Sequence, residues 1–171
     1  LEQKAKRGQL FRRVAVGYVR TADDRLEKDP DERVRAAIDL AFRKFAELGS
    51  ARQLYFWLCQ QQIQLPAVGG SVSAHQIVWK QPRYHALLSL LKNPIYAGAY
   101  RWGHRKIDPR KQQPGRRSTG RTLNVPEACD VLIPDRFPAY ISWERFVAIQ
   151  QRLADNRAIA EALGAPREGP S

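Results

Sequence analysis

The chain has 171 residues, of which 43% are hydrophobic, and it carries a formal net charge of +12. That length can bury the core of one domain, and the absence of an 18-residue apolar run predicts that no segment spans a membrane. The two cysteines lie too far apart to form a zinc ligand set or a disulfide framework, so we expect a reducing, cytoplasmic location without a metal or other cofactor. The sequence lacks methionine and begins with leucine, which indicates a piece of a longer protein.

The positive charge is concentrated in parts of the chain. By segment, the net charge is +5 over residues 1–20, −2 over 21–49, +4 over 50–100, +7 over 101–122 and −2 over 123–171. Residues 48–107 contain no Asp or Glu. Such a stretch favours a surface that faces phosphates, because acidic side chains would be repelled there. We therefore expect a nucleic acid as the partner, with an ordinary basic surface as the alternative.

The N-terminal segment is basic. Residues 1–13 are typical of a helix end, closed by Gly8 and followed by an arm, although a frayed terminus with solvated charge would read the same way. The arginines that suit a chain lying along a nucleic-acid groove are Arg7, Arg12 and Arg13. A short extended segment and an acidic turn follow before residue 29.

A first complete helix is signalled by its two ends. Asp29 is predicted as the N-cap, Pro30 as the first helical residue and Glu32 as the capping-box partner, and Gly49 ends the helix. Helical spacing predicts a core-facing stripe of Val34, Ile38, Phe42, Phe45 and Leu48. This helix should therefore pack one face against the core.

A second helix and a short strand come next. Ser50 is predicted to cap a helix at about 51–62, with Gln53 at the capping-box position. The side chains expected to be buried are Leu54, Trp57 and Leu58. Residues 65–73 are predicted to form a loop, and residues 74–81 are expected to hold a short strand.

The third helix is predicted to begin at Pro82 and to run to about Lys92. Its expected inward stripe is Tyr84, Leu87, Leu88 and Leu91. The other faces then carry Arg83, His85, Ala86, Ser89 and Lys92. A short helix with small, hydrogen-bonding and basic side chains outward has the surface that a recognition helix needs, and an ordinary amphipathic helix is the alternative.

The remainder of the chain begins where Asn93-Pro94 stops the third helix. The residues that should then alternate on one side of a strand are Tyr96, Gly98, Tyr100 and Trp102. Residues 103–122 are predicted to form a flexible basic loop, because they are rich in Gly and Pro and contain few core-forming residues. After a short extended segment, Ser142 is predicted to cap a last helix with Phe146, Ile149 and Leu153 inward.

No catalytic constellation stands out. His104 and Asp108 lie four residues apart in the way that some nuclease metal ligands do, but no second pair has matching spacing. The serines lack a nucleophile signature, and no glycine-rich phosphate loop is present. The sequence therefore predicts a binding module without catalytic residues or a metal site.

Taken in order, the motifs resemble the "recombinase" DNA-binding domain of the large serine recombinases, the phage integrases and mobile-element transposases that rejoin DNA through a phosphoserine link. The resemblance runs from about Ala5 to Asn156. Its specific parts are the "GS" that opens a helix at 49–50, "LKNPIYAGAY" at 91–100 and "ISWERF" at 141–146.

The resemblance implies a fold that is mainly α with a few short β-strands (α+β), a helix-turn-helix-like domain with a mobile basic loop. Residues 1–13 would be the end of a linker helix and an arm, 14–157 the DNA-binding domain and 158–171 a tail or linker. The family's catalytic and zinc-ribbon domains are missing. We therefore expect a fragment that does not cut DNA and is monomeric, from a parent recombinase that is dimeric or tetrameric on double-stranded DNA.

The resemblance also assigns roles to residues. The third helix would enter the major groove, supported by the helix after Ser50. The expected base contacts are Gln81, Arg83, His85 and Ser89. The expected phosphate contacts are Lys80, Lys92, Arg101, Arg105 and Lys106, and the arm of Arg7, Arg12 and Arg13 would follow the backbone or minor groove. The aromatic residues Tyr96, Tyr100 and Trp102 should mainly pack in the core, because duplex DNA exposes no base faces.

Two other classes of protein remain open. An RNA-binding or ribosome-associated basic domain would suit the charge, although no aromatic RNA-binding strand signature is present. A complete small nuclease is the second alternative. Competition by duplex RNA would identify the RNA-binding class, and magnesium-dependent nicking of DNA would identify the nuclease.

Overall fold

The computed structural model describes residues 14–69, 76–103, 105–113, 115–116, 121–123 and 129–163. The helices within these ranges are α1 (Glu32–Leu48), α2 (Ala51–Gln60), α3 (Tyr84–Leu91) and α4 (Trp143–Ala162). The strands are β1 (Tyr18–Arg20), β2 (Leu26–Lys28), β3 (Leu65–Gly69), β4 (Gln76–Lys80), β5 (Tyr100–Trp102), β6 (Arg105–Ile107), β7 (Arg121–Leu123) and β8 (Val131–Ile133). They form antiparallel pairs β1–β2, β3–β4, β5–β8 and β6–β7. The predicted α+β class is confirmed.

The start of α1 differs from the prediction by two residues. Asp31 is the N-cap, and its carboxylate accepts the backbone N–H of Arg33 at 2.9 Å. The Asp29 side chain is buried and accepts the N–H of Asp31 at 2.9 Å, so it shapes the turn before the helix. Pro30 therefore lies outside the helix, and Glu32 is its first residue. The predicted end is confirmed, because Gly49 adopts a left-handed φ of 68° and donates its N–H to the Phe45 carbonyl at 2.8 Å.

The predicted caps of α2 and α4 are confirmed. The Ser50 hydroxyl accepts the N–H of Gln53 at 3.5 Å. The Ser142 hydroxyl accepts the N–H of Arg145 at 3.3 Å. Serine at these positions satisfies an N–H group that the helix itself leaves without a partner.

The core lies where the helices meet. α2 packs between α1 and α3, and α4 contacts α3. The predicted residues that are buried in it are Val34, Ile38, Phe42, Phe45, Leu54, Leu58, Leu87, Leu91, Phe146 and Ile149. Those that are only half-buried are Leu48, Trp57, Leu88 and Leu153. Tyr84 was expected inward but is 44% exposed, because it begins α3 and its ring meets that of Tyr55 at the edge of the helix pair.

A β-hairpin joins α2 to α3. β3 pairs with β4 along its whole length, from Leu65 opposite Lys80 to Gly69 opposite Gln76. Much of the loop predicted at 65–73 is therefore strand, and the helix pair lacks the three- or four-residue turn of the simplest helix-turn-helix. Pro82 was predicted to open α3, but it is buried ahead of the helix and Arg83 stays extended with φ −117° and ψ 134°.

The chain after Asn93 is a 3-10 turn instead of a strand. Pro94–Ala97 form this turn, the Asn93 side chain accepts the N–H of Ile95 at 3.3 Å, and Gly98 ends it with φ 78°. The prediction that Tyr96 lies on a strand is therefore wrong, and the strand begins only at Tyr100. The reason is local, since Asn93 and Pro94 together favour a tight turn.

Three tyrosines connect the N-terminal and C-terminal parts of the described domain. Their rings, from Tyr18, Tyr96 and Tyr140, have centroids 5.4–5.9 Å apart. The Tyr18 hydroxyl lies 2.8 Å from the carbonyls of Ile95 and Pro138. The Tyr96 hydroxyl donates to Val16 at 2.9 Å and the Tyr140 hydroxyl to Gly17 at 2.6 Å. Burial raises the pKa of each phenol well above its usual value.

The other predicted packing residues agree with this arrangement. Tyr96 and Tyr100 are 3% and 4% exposed, and Trp102 is half-buried against the core. Their role in packing is confirmed.

The basic segment that follows was predicted to be a loop, but part of it forms secondary structure. β6 pairs with β7, and Pro109–Lys111 form a second 3-10 turn.

Candidate nucleic-acid interface

The exposed face of α3 is the centre of the candidate site. Leu87 and Leu91 are fully buried on one side of the helix. The exposed side chains at the other side are His85, Ala86, Ser89 and Lys92, as the sequence predicted. This face carries hydrogen-bonding, small and basic groups and no carboxylate.

The core holds α3 in a fixed position. Leu87 and Leu91 share the core cluster with Leu54 and Leu58 of α2. At the C-terminal end, the side-chain amide of Gln150 in α4 donates to the carbonyl of Leu91 at 2.9 Å. A helix secured in this way can present its outer side chains in a defined geometry.

An apolar groove runs along one side of α3. It has a volume of about 520 Å³ and lies between α3, β3 and the segment 14–16. The predicted contact residues that line it are Lys80, Gln81, Arg83 and Ser89. The structure therefore brings these four side chains together. The segment that continues the predicted arm begins at Val14, inside the same groove.

The charges around α3 are not neutralised within the described part of the chain. Lys80, Arg83 and Lys92 are exposed and form no ion pair among the described residues. Several cations elsewhere do pair locally, as in Arg25–Asp23 at 3.2 Å, Arg33–Asp31 at 3.0 Å, Lys44–Glu47 at 2.5 Å and Arg157–Glu161 at 2.9 Å. The hydrogen bonds from Arg33 lower the pKa of the Asp31 carboxyl. The face of α3 and its border therefore carry positive charge that no neighbouring carboxylate of the segment 48–107 offsets.

Three of the remaining predicted contacts lie in strands that follow α3 in the chain. Arg101 is half-buried in β5, opposite Leu132. Arg105 and Lys106 lie in β6, opposite Leu123 and Thr122. The arm residues Arg7, Arg12 and Arg13 lie outside the described residues, as does His104.

No metal site is formed by the residues that the structure describes, since no three of their His, Cys, Asp or Glu side chains are grouped together. Asp108 instead accepts the N–H of Arg110 at 3.0 Å, which shapes the second 3-10 turn. No described helix is long and apolar enough to cross a membrane.

Sequence reasoning missed two features beside α3. The first is the groove, whose walls come from segments distant in the chain. The second is a group of three rings where α2 meets α3, from Tyr55, Phe56 and Tyr84, together with the Arg52 guanidinium beside them. We call these four residues the aromatic patch. Phe56 is 51% exposed. Its position opposite Leu54 and Leu58 on the helix could have predicted this exposure.

Known proteins share this fold and sequence pattern. The family model named Recombinase matches residues 32–156. "Uncharacterized protein y4bA/y4pH" of Sinorhizobium fredii (strain NBRC 101917 / NGR234) is 31% identical over 155 residues, which cover 90% of this chain and 22% of that protein.

Two solved structures resemble the domain. One, described as "Crystal Structure of a LSR-DNA Complex", has a TM-score of 0.56 and 15% identity over 90% of this chain and 36% of its own. Another, described under "Sequence Requirements of the Listeria innocua prophage attP site", has a TM-score of 0.54 and 17% identity over 88% of this chain and 48% of its own. The chain thus spans less than half of each relative, and at these identities the likeness shows the fold. Because the family model matches well over half of the chain, including the helix pair and the turn after Asn93, the protein belongs to the Recombinase domain family.

Proposed function

We propose that this domain binds double-stranded DNA in a sequence-dependent way and recognises part of a recombination half-site for a site-specific serine recombinase. The observation that carries this proposal is the outer face of α3, which is exposed, free of carboxylates and bordered by cations without ion-pair partners in the described chain. The structural relatives support the same function, since one is a complex with DNA and the other concerns a prophage attP site.

The dimensions of α3 suit the major groove. A helix with its side chains is about 10–12 Å wide, and the major groove of B-DNA is about 12 Å wide. Ala86 and Ser89 are small, so they allow the helix backbone to approach the base edges. His85 and Ser89 face outward for base contacts, with Arg83 and Gln81 at the start of the helix.

Phosphate contacts would surround these base contacts. Lys80 and Lys92 lie at the two ends of the α3 surface. We assign further phosphate contacts to Arg101, Arg105 and Lys106, and we place the arm residues Arg7, Arg12 and Arg13 along the backbone or minor groove. The fragment acts as a monomeric binding module without catalysis, within a cytoplasmic parent recombinase that assembles as a dimer or tetramer on DNA.

The test is selection of the 171-residue chain against a random duplex library at moderate salt, followed by sequencing. We expect an enriched motif of about one helical turn. Arg83→Ala should then weaken binding to the enriched site by about 1–3 kcal/mol and relax one position, with little change for random DNA. Arg33→Ala is the matched control, because Arg33 is exposed but is paired with Asp31 at the start of α1.

Three outcomes would contradict parts of this proposal or the whole of it. Equal loss of affinity for target and random DNA in Arg83→Ala would refute base reading by that side chain. Efficient competition by duplex RNA would favour the RNA-binding alternative. Magnesium-dependent nicking by the purified chain would favour a nuclease.

A further inference from the structure

The aromatic patch lies on the opposite side of α3 from the groove. Ala86 lines the groove, and Tyr84, two residues earlier, points to the other side because successive helical residues are about 100° apart. Phe56 and Tyr84 are 51% and 44% exposed. Exposed large rings that lie together commonly mark an interaction surface.

The rings of the patch are ordered by contacts with one another. The Tyr55 ring centroid lies 5.6 Å from that of Phe56 and 6.2 Å from that of Tyr84, the latter at an interplanar angle of 76°. The Arg52 guanidinium lies 5.8 Å from the Phe56 centroid. Interaction with the Cys59 thiol, one turn later on α2, raises the pKa of Tyr55.

Two donors of the patch remain available to a partner. Arg52 is exposed and forms no ion pair with any described residue, and the Tyr84 hydroxyl has no hydrogen-bond partner in the described ranges. The acidic residues nearest to the patch in the sequence are Glu47 and Asp108, and the segment 48–107 between them, which holds the whole patch, contains no Asp or Glu. A group that accepts hydrogen bonds and carries negative charge complements these donors.

We propose that the aromatic patch binds the sugar-phosphate backbone of one DNA strand beside the major groove that α3 enters. This inference rests on the proposed function. When a recognition helix lies in the major groove, the helix that supports it crosses the bordering backbone. α2 packs against α3, so its exposed face would meet that strand. Arg52 then pairs with a phosphate, the Tyr84 hydroxyl donates to a phosphate oxygen, and Phe56 packs against a deoxyribose.

Such contacts carry no sequence information, so their signature differs from that of α3. Arg52→Gln should weaken binding to the selected site and to random duplex equally, by about two- to fivefold. It should also reduce the slope of log K against log salt by about 0.9, because one phosphate contact is lost. Tyr84→Phe, which removes only the hydroxyl, should weaken both duplexes by about fivefold without reducing that slope.

The experiment measures affinity of the full 171-residue chain and its variants by fluorescence anisotropy, on the selected duplex and on a random duplex, over a salt series. Arg157→Gln is the matched control, since it changes net charge equally but removes an arginine paired with Glu161 at 2.9 Å on α4. Circular dichroism of each variant checks that the fold is retained.

The outcomes separate the two proposals. Equal weakening on both duplexes by Arg52→Gln and Tyr84→Phe, with Arg157→Gln unchanged, supports the inference. Wild-type affinity in both variants, while Arg83→Ala loses affinity for the selected site, overturns the inference and leaves the proposed function standing. A dimer of the wild type that Phe56→Ser converts to monomer, with unchanged DNA affinity, assigns the patch to protein association and also overturns it. Absence of duplex binding by the wild type refutes both.

Discussion

The tyrosine cluster gives a stability prediction that can be worked out from its hydrogen bonds. Tyr18→Phe keeps a ring that is fully buried and removes one hydroxyl. That hydroxyl has a single hydrogen, which is shared between the carbonyls of Ile95 and Pro138, each at 2.8 Å. Ile95 keeps a bond from the N–H of Gly98 at 2.9 Å, and Pro138 is exposed and can bind water. The loss is therefore one hydrogen bond, with little cost from unpaired acceptors.

We expect Tyr18→Phe to lower the free energy of unfolding by about 1–2 kcal/mol. For a domain of this size, Tm should fall by about 2–4 °C per kcal/mol. The measurement is urea unfolding followed by circular dichroism, with Tyr84→Phe as the control. The Tyr84 side chain is 44% exposed, so losing its hydroxyl should change stability by less than about 0.5 kcal/mol. Equal stability of the two variants would refute the role assigned to Tyr18.

Three further predictions follow from other features. Burial raises the pKa of Tyr18 and Tyr96, so both phenols stay neutral in the folded protein while they ionise in the unfolded chain above its phenol pKa of about 10. The free energy of unfolding should therefore be unaffected by these groups below that pH and fall above it by roughly 1.4 kcal/mol per pH unit for each phenol. A free energy of unfolding that does not change at alkaline pH would contradict this. Gly17→Ala should cost about 2–4 kcal/mol in urea unfolding, because φ is +86° and the new methyl would meet the core; Gly115→Ala, at φ +80° with nothing within 4 Å, should cost only about 1 kcal/mol. Lys92→Ala should reduce the salt slope of DNA binding by about 0.9 for any sequence, and an unchanged slope would remove Lys92 from the phosphate contacts.

The parts of the fold that local chemistry determines could be predicted. Gly49 and Ser50 mark the boundary between α1 and α2, because a left-handed glycine and a capping hydroxyl act within a few residues. The buried face of α3 followed from helical spacing. The hairpin was missed because Pro66 and Gly69 favour a loop locally, whereas the pairing of β3 with β4 places them in a strand.

The same division applies to the candidate site. The outer face of α3 could be predicted because its residues are consecutive. The groove could not, since its walls come from residues 14–16, β3 and α3. The wrong placement of Tyr96 on a strand has a local reason instead, because the alternating aromatic pattern was followed although Asn93 and Pro94 favour a turn. The hydrogen bond from the Tyr96 hydroxyl to Val16, 80 residues earlier, could not be predicted from the sequence.

The long-range bonds of the tyrosine cluster also determine when the domain can become stable during synthesis. The hydroxyl of Tyr140 bonds to Gly17 across 123 residues, and that of Tyr18 bonds to Pro138 across 120. Contacts at such separation form late in folding, and a nascent chain cannot form them until both partners have left the ribosome. While α1, α2 and α3 are being made, the segment around β1 therefore has only its pairing with β2 and lacks the bonds to Pro138 and Tyr140. A ribosome stalled before residue 138 would carry a chain that already contains all of α3, while the segment around β1 still lacks its hydrogen bonds to Pro138 and Tyr140 and is more open to proteases.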